Sequence, residues 1–255
     1  SYVMTLEENR SRIAASFFAA LEAPSPDYDS VRSLVRLLNA EPRPPYRVIV
    51  VRWAALSEDD AGQTAPVLRA LADAWGARRS VAAFFAERRE IRIASFGASD
   101  AACERLLAAT ARIASPGGGR PPRIGASGAS SLFEDMDLLL DEALFAASRA
   151  GGGGPDGGIV RFQGLEPEWL AAKVPPRAKT RYIERTLAAL PDPLLETLKA
   201  YFASDRNAQA AADALFVHKN TVIYRLKRIM ELTGLDPFSF RDAARLQLAL
   251  WCRGR

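Results

Sequence analysis

The sequence predicts an α+β chain in which a sheet-and-helix domain is followed by an all-α domain. Two observations carry this prediction. Between Tyr46 and Phe162, short β-branched and aromatic runs alternate with amphipathic stretches in the order strand-helix-strand-strand-helix-strand, then helix and strand. Beyond Glu166 the strand signal stops, and apolar residues recur only at helical spacing. At 255 residues the chain has room for two domains, and 49% hydrophobic with 25% charged residues is ordinary for a globular protein.

The elements follow in order. Leu6 to Leu21 and Tyr28 to Leu38 read as helices with Pro24 and Pro26 between them, and Glu41-Pro42-Arg43-Pro44-Pro45 breaks the pattern. Tyr46 to Trp53 (YRVIVVRW) has the continuous apolar character of a buried strand. Ala65 to Trp75 is helical. Ser80 to Phe85 and Glu90 to Phe96 are strands joined by a hairpin at Glu87-Arg88-Arg89. Asp100 to Ala114 is a helix with Leu106, Leu107 and Ile113 inward, Pro116 to Pro122 a Gly/Pro loop, and Arg123 to Ser127 a short strand. Ser131 to Arg149 is an amphipathic helix, Gly151 to Gly158 (GGGGPDGG) a flexible loop, and Ile159 to Phe162 the last strand. Glu166 to Leu190 reads as a helical connector interrupted by Pro175-Pro176.

The C-terminal helices carry the most specific signal. Asp192-Pro193 marks a helix start, Asp as cap and Pro in the first position, with Leu194, Leu195, Leu198, Tyr201 and Phe202 on its apolar face. Asn207 is an N-cap for a short alanine-rich helix to Leu215. Phe216 and Val217 are expected to fold inward at the following turn, and His218 to begin the next helix. Val222, Leu226 and Ile229 form one buried stripe, while Lys219, Asn220, Thr221, Arg225, Lys227 and Arg228 fall largely off it. Gly234 closes the helix, with Leu235 set to fold back on Met230. Ser239 and Asp242 resemble a capping box ahead of a last helix bearing Leu246, Leu248, Leu250 and Trp251. Two helices with a tight turn, the second one basic, make a helix-turn-helix whose second helix enters the major groove of DNA. Net charge is only +4, but between Lys219 and Arg228 there are four basic residues and no acid.

The run LLETLKAYFASDRNAQAAADALFVHKNTVIYRLKRIMELTGL resembles the C-terminal helix-turn-helix of PucR/CdaR-type bacterial transcriptional regulators. The LLETLKAYF opening, the FVHKNTVIYRLKRI core and the LTGL exit all match, without a gap. Ile223 departs from it, at a position where a basic residue is common. The segment RIGASGASSLFEDMDLLLDEALFAASRAGGGG resembles the degenerate GGDEF-like domain that precedes the helix-turn-helix in these regulators. The resemblance implies N-terminal helices over 1–43, a GGDEF-like sensor or dimerisation domain over 44–165, a connector over 166–190 and a DNA-binding domain over 191–255. It implies double-stranded DNA as partner and a small-molecule effector. The small surface that one helix-turn-helix buries on DNA predicts a homodimer, and position along the second helix predicts DNA contacts through His218, Lys219, Asn220, Thr221, Tyr224, Arg225, Lys227 and Arg228.

Other chemistry finds little support. His218 is the only histidine, and with two distant cysteines, Cys103 and Cys252, it cannot supply a usual zinc set. Its place at a helix start suits a phosphate contact or an amide cap. Glu134, Asp135, Asp137, Asp141 and Glu142 could pose as a metal site but also fit a solvated helix face. Trp53, Trp75, Trp169 and Trp251 read as core or interface residues. The glycines at 117–119 and 151–154 lack the ending of a P-loop and the spacing of a dinucleotide fingerprint. The serious enzymatic rival is a nucleotide cyclase, but the hairpin Phe85-Ala86-Glu87-Arg88-Arg89-Glu90 lacks the signature glycines and acidic pair. No catalytic, metal or cofactor site is therefore expected. The alternative is a catalytically degenerate module that binds a nucleotide or a partner protein. Two distant cysteines suggest a reducing compartment without disulfides. No stretch is apolar enough to span a bilayer and no signal peptide is visible, so a cytoplasmic location is expected. Ser1 to Val3 ahead of Met4 read as a cloning remnant.

Overall fold

The computed structural model describes residues 2–53, 58–115, 121–150 and 158–254. Most of the two Gly-rich loop stretches, 116–120 and 151–157, lies outside the described residues, as does Ser1. The chain divides into two compact units, Ser1–Leu165 and Glu166–Arg255.

The first unit is built on a five-stranded sheet in the order β2-β3-β1-β4-β5. The strands are β1 (Tyr46–Arg52), β2 (Ser80–Phe85), β3 (Glu90–Phe96), β4 (Arg123–Ala126) and β5 (Ile159–Arg161). All neighbours are antiparallel except β4 and β5. β1 is central, which explains its unbroken apolar run: both faces of Val48 to Val51 are covered. Helices α1 (Tyr2–Leu21), α2 (Tyr28–Leu37) and α5 (Met136–Arg149) cover one face. There Phe17, Phe18, Val31, Val35, Leu140 and Ala147 pack on Tyr46, Val48, Val50, Ala94 and Phe96. Helices α3 (Glu58–Trp75) and α4 (Asp100–Ile113) cover the other, with Leu71, Trp75 and Leu107 against Ile49, Val51, Ile91, Ile93 and Ile124. The strand period of two sends even-numbered β1 residues to one core and odd-numbered ones to the other. The first unit is thus an α+β fold, as its hydrophobic periods predict.

The acidic stretch at the start of α5 is engaged in holding that helix. Asp137 accepts the Tyr28 hydroxyl at 2.8 Å, Glu134 pairs with Arg32, and Glu142 accepts the Gly128 N–H at 2.9 Å. Burial, and then the hydrogen bond to Asp137, push the Tyr28 phenol well above its ordinary pKa. A 3₁₀ turn, Phe133–Asp135, precedes the helix proper.

The second unit is all helix: α6 (Glu166–Lys173), α7 (Pro176–Leu187), α8 (Asp192–Ala203), α9 (Ala208–Ala214), α10 (Lys219–Thr233) and α11 (Phe240–Arg253). Residues 166–190 supply α6 and α7, both packed on α11, and Leu187 and Leu190 enter the unit's core. The Tyr182 hydroxyl donates to the Arg245 carbonyl at 3.1 Å. α8 begins one residue earlier than Asp192-Pro193 suggests: Pro191 holds the extended cap position, and Asp192 lies in the first turn, where its charge suits the helix dipole. Only half of the capping box at α11 forms. Ser239 caps the Asp242 N–H, whereas the Asp242 carboxylate turns to the Asp236 N–H at 3.3 Å. Among the described residues, no helix is long and apolar enough to cross a membrane.

Among the described glycines, Gly125 is the one most closely approached by backbone. A Cβ there would lie 2.1 Å from the Ala143 carbonyl oxygen and 2.2 Å from the Ala147 nitrogen. Gly125→Ala must therefore push α5 off β4, and should destabilise the unit by about 3 kcal/mol or more. A urea-denaturation midpoint indistinguishable from the parent would contradict this packing.

Candidate nucleic-acid interface

The candidate interface is assembled from α9, α10 and the turn between them. Asn207 Oδ1 accepts the Gln209 and Ala210 N–H groups at 3.0 and 3.2 Å, which starts α9. Asp205 and Arg206 before it adopt left-handed backbone (φ 50° and 64°), letting α8 turn sharply into α9. Ala211 and Ala212 are fully buried, and their small side chains let α10 pack close.

The turn departs from expectation at Phe216. Its side chain is 96% exposed, not inward. The cause is its left-handed backbone, φ 54°, which reverses the chain and throws the side chain outward. Val217 then takes the inward place against the core, with its N–H on the Ala212 carbonyl at 3.0 Å. Helix-turn-helix sequences often put glycine in such a turn, and without one the left-handed residue could not be located from the sequence.

His218 is the N-cap of α10. Its Nδ1 accepts the Asn220 N–H at 3.2 Å, so in this geometry the ring proton belongs on Nε2. Val222, Leu226 and Ile229 are 0% exposed and anchor the helix to the core. Lys219, Asn220, Tyr224, Lys227 and Arg228 point to solvent, and Thr221 is half-buried. Tyr224 is 70% exposed, a high value for an aromatic residue that no core contact requires. Arg228 pairs with Glu231 at 2.7 Å across one turn, an exposed ion pair that a phosphate can displace.

Arg225 behaves differently from the other basic residues of α10. It is half-buried, and its Nη1 donates to the Thr197 hydroxyl oxygen on α8 at 3.1 Å. Thr197 is fully buried and spends its own proton on the Pro193 carbonyl at 2.8 Å. The hydroxyl therefore acts as an acceptor that fixes one arm of the guanidinium. Gly234 ends the helix at φ 70°, with its N–H on the Met230 carbonyl at 2.8 Å. Leu235 is buried, while Met230 stays 39% exposed.

The arrangement has the parts of a DNA reader: a short helix, a tight turn, and a second helix whose outward face is basic and polar. Residues 194–252 match the PucR C-terminal helix-turn-helix domain. This stretch is a PucR-type helix-turn-helix domain. A 57-residue stretch of the chain is 49% identical to the carbohydrate diacid regulator of Escherichia coli, covering 22% of this chain and 15% of that protein. A longer stretch, 129 residues at 33% identity, matches the transcriptional activator PmfR of Paenarthrobacter nicotinovorans, over 48% of this chain and 27% of that one. The chain thus spans less than a third of the length of the curated relatives it matches. The crystal structure of a regulator of polyketide synthase expression from Bifidobacterium adolescentis overlays with a TM-score of 0.43 at 23% identity, covering 95% of this chain and 94% of that one.

Within the PucR-type domain, Phe216 supplies a stability test. A left-handed conformation costs an L-residue about 1–2 kcal/mol, part of which glycine returns as unfolded-state entropy. Phe216→Gly should therefore raise stability by about 0.5–1 kcal/mol, seen as a higher calorimetric midpoint. A lower midpoint would mean that the phenyl ring makes a stabilising contact after all.

Proposed function

We propose that the chain is a sequence-specific, DNA-binding transcriptional regulator that responds to a metabolite, working in the cytoplasm as a homodimer and catalysing no reaction. One observation carries this reading. In a PucR-type domain, the buried stripe of α10 turns Lys219, Asn220, Tyr224, Lys227 and Arg228 outward together. Lys219, Asn220 and Thr221 occupy the first turn, which enters the groove in helix-turn-helix docking. His218 holds that turn in shape, and its free edge can meet a phosphate. Asn220 has the paired donor and acceptor that adenine offers in the major groove. Arg225, with one arm already held by Thr197, approaches guanine or a phosphate with less rotamer freedom to lose. Tyr224 supplies a flat surface beside them, and Lys227 and Arg228 neutralise phosphates nearer the helix exit.

The relatives' names support the regulatory part, and the resemblance of residues 44–165 to a GGDEF-like domain supports sensing or dimerisation there. The hairpin Phe85 to Glu90 has neither the glycines nor the acidic pair of an active cyclase. A nucleotide titration alongside a DNA titration would separate this reading from that of a degenerate nucleotide-binding module.

The variants should fail in two ways. Asn220→Ala and Arg225→Ala should each cost about 1–3 kcal/mol of specific binding and relax preference at one position per half-site. Lys227→Ala should weaken specific and scrambled duplexes alike and reduce the salt slope by about one unit. Binding to both duplexes across a salt series measures this. Unchanged affinity and preference in folded Asn220 and Arg225 variants would remove α10 as the reader.

The dimer has its own test. A single module buries only about 600–1,000 Å² on DNA, little for tight specific binding. Footprinting with light scattering should show a dimer on two half-sites about one helical turn apart, or a multiple of it. A monomer protecting one half-site at nanomolar concentration would refute it.

A further inference from the structure

One end of the sheet in the first unit gathers arginines. The register sets Glu90 on β3 opposite Arg52 on β1, and Arg52 opposite Arg123 on β4. Residues directly opposed in a ladder share a face, so these three side chains form a row. Arg92 is two residues along β3 and points the same way. This is the face that carries Val50 and Ala94, covered by α1 and α5. Glu90 and Arg92 are fully buried, while the Arg52 side chain is 31% exposed.

The polar contacts within the row can be followed atom by atom. Glu90 Oε1 accepts from Arg92 Nε at 2.7 Å, and Oε2 accepts from Arg52 Nε and Nη2 at 3.0 and 2.6 Å. Glu22, just past the end of α1, accepts from Arg92 Nη2 at 3.1 Å and Arg88 Nη1 at 2.6 Å. The Arg92 guanidinium also lies 4.3 Å from the centre of the Phe85 ring. Among the described residues, Glu90 and Glu22 thus hold Arg52 and Arg92, the exposed Arg88 lies between Glu22 and Glu87, and Arg123 is left with no carboxylate. Among the described residues, two donors in the group, Arg92 Nη1 and Arg123 Nε, are buried without an acceptor.

A purely structural ion network is built the other way, with charges balanced and buried donors satisfied, because an unmatched buried guanidinium is costly. From this mismatch we infer that this end of the sheet binds a small dianion, a phosphate or a dicarboxylate, held by Arg52 and Arg123 with Arg92 behind them. Two guanidinium groups, those of Arg52 and Arg123, reach one ligand together, which suits a dianion better than a monoanion. Guanidinium forks match the planar edge of a carboxylate or two oxygens of a phosphate. The partly exposed Arg52 supplies the approach. The Arg92–Glu90–Arg52 chain fixes the forks before the ligand arrives. The binding inference stands without the DNA-binding reading, and only a coupling between the two would rest on it.

The test is a titration of the whole chain with inorganic phosphate and with succinate, using acetate as the monoanion and sodium chloride to hold ionic strength. Calorimetry is the readout, because phosphate raises melting temperatures nonspecifically. Saturable binding of phosphate or succinate, and not of acetate, is expected, and which of the two binds identifies the chemical source. Arg123→Gln should weaken it about tenfold or more, the usual loss for one charge-assisted hydrogen bond. No hydrogen bond to another described residue involves the Arg123 side chain, so this variant should keep its circular dichroism spectrum and urea midpoint. Arg52→Gln should weaken binding similarly. Three results would overturn the inference: no saturable binding of either dianion, binding untouched by both substitutions, or acetate binding as tightly as succinate. None of them bears on DNA affinity.

Discussion

Val222, Leu226 and Ile229 fix the rotation of α10 about its own axis. A helix advances about 100° per residue, so once these three face the core the direction of every other side chain on α10 follows. Asn220, Tyr224, Lys227 and Arg228 face solvent because that stripe faces α8 and α9. The ends of the helix are held separately. His218 caps one by accepting the Asn220 N–H, and Gly234 closes the other in left-handed backbone. Small side chains at Ala211 and Ala212 complete the constraint by letting the two helices approach. Enlarging either residue would push α10 outward and rotate its polar face with it.

The first unit solves a different problem. Its central strand is buried on both sides, so two helical layers must be held at fixed heights above the sheet. On one side this is done by contact, with Gly125 bringing β4 against the backbone of α5. Around the start of α5 it is done by polar clamps, through Asp137, Glu134 and Glu142. At the opposite end of that face Glu90 and Glu22 hold Arg52, Arg88 and Arg92, while the Arg123 side chain has no hydrogen-bond partner among the described residues. Within a single layer of the fold, the acidic groups around α5 are held by partners, whereas Arg92 Nη1 and Arg123 Nε are buried without an acceptor among the described residues.

Most of the architecture was legible in the sequence because periodicity reports burial directly. β1 reads as a continuous apolar run, β2 and β3 flank a charged turn, and the helices alternate at helical spacing, so element type and order could be read from residue pattern alone. The α10 stripe and the Asn207 and Gly234 caps were legible for the same reason, since each depends on side chains within one or two turns. Phe216 was not legible. An apolar residue at a turn ordinarily folds inward, and only the left-handed backbone imposed by the packing of α9 against α10 turned it out. The half-formed capping box at Ser239 was hidden similarly, because Asp242 found its acceptor role at Asp236.

The sequence by itself determined the α+β class, the helix-turn-helix and the residues on its basic helix, all of which follow from local spacing and from motif residues adjacent in the chain. Only the tertiary structure decided that one basic residue of α10 is committed elsewhere. Arg225 is tied to Thr197 on another helix, whereas the pairing of Arg228 with Glu231 one turn on is local. Only the tertiary structure also brought Arg52, Arg92 and Arg123 to one end of one face, although they are separated by tens of residues. The physical reason is that strand order and register are set by packing between elements distant in sequence. Pattern can show which face of a strand is buried, but not which strand it will lie beside.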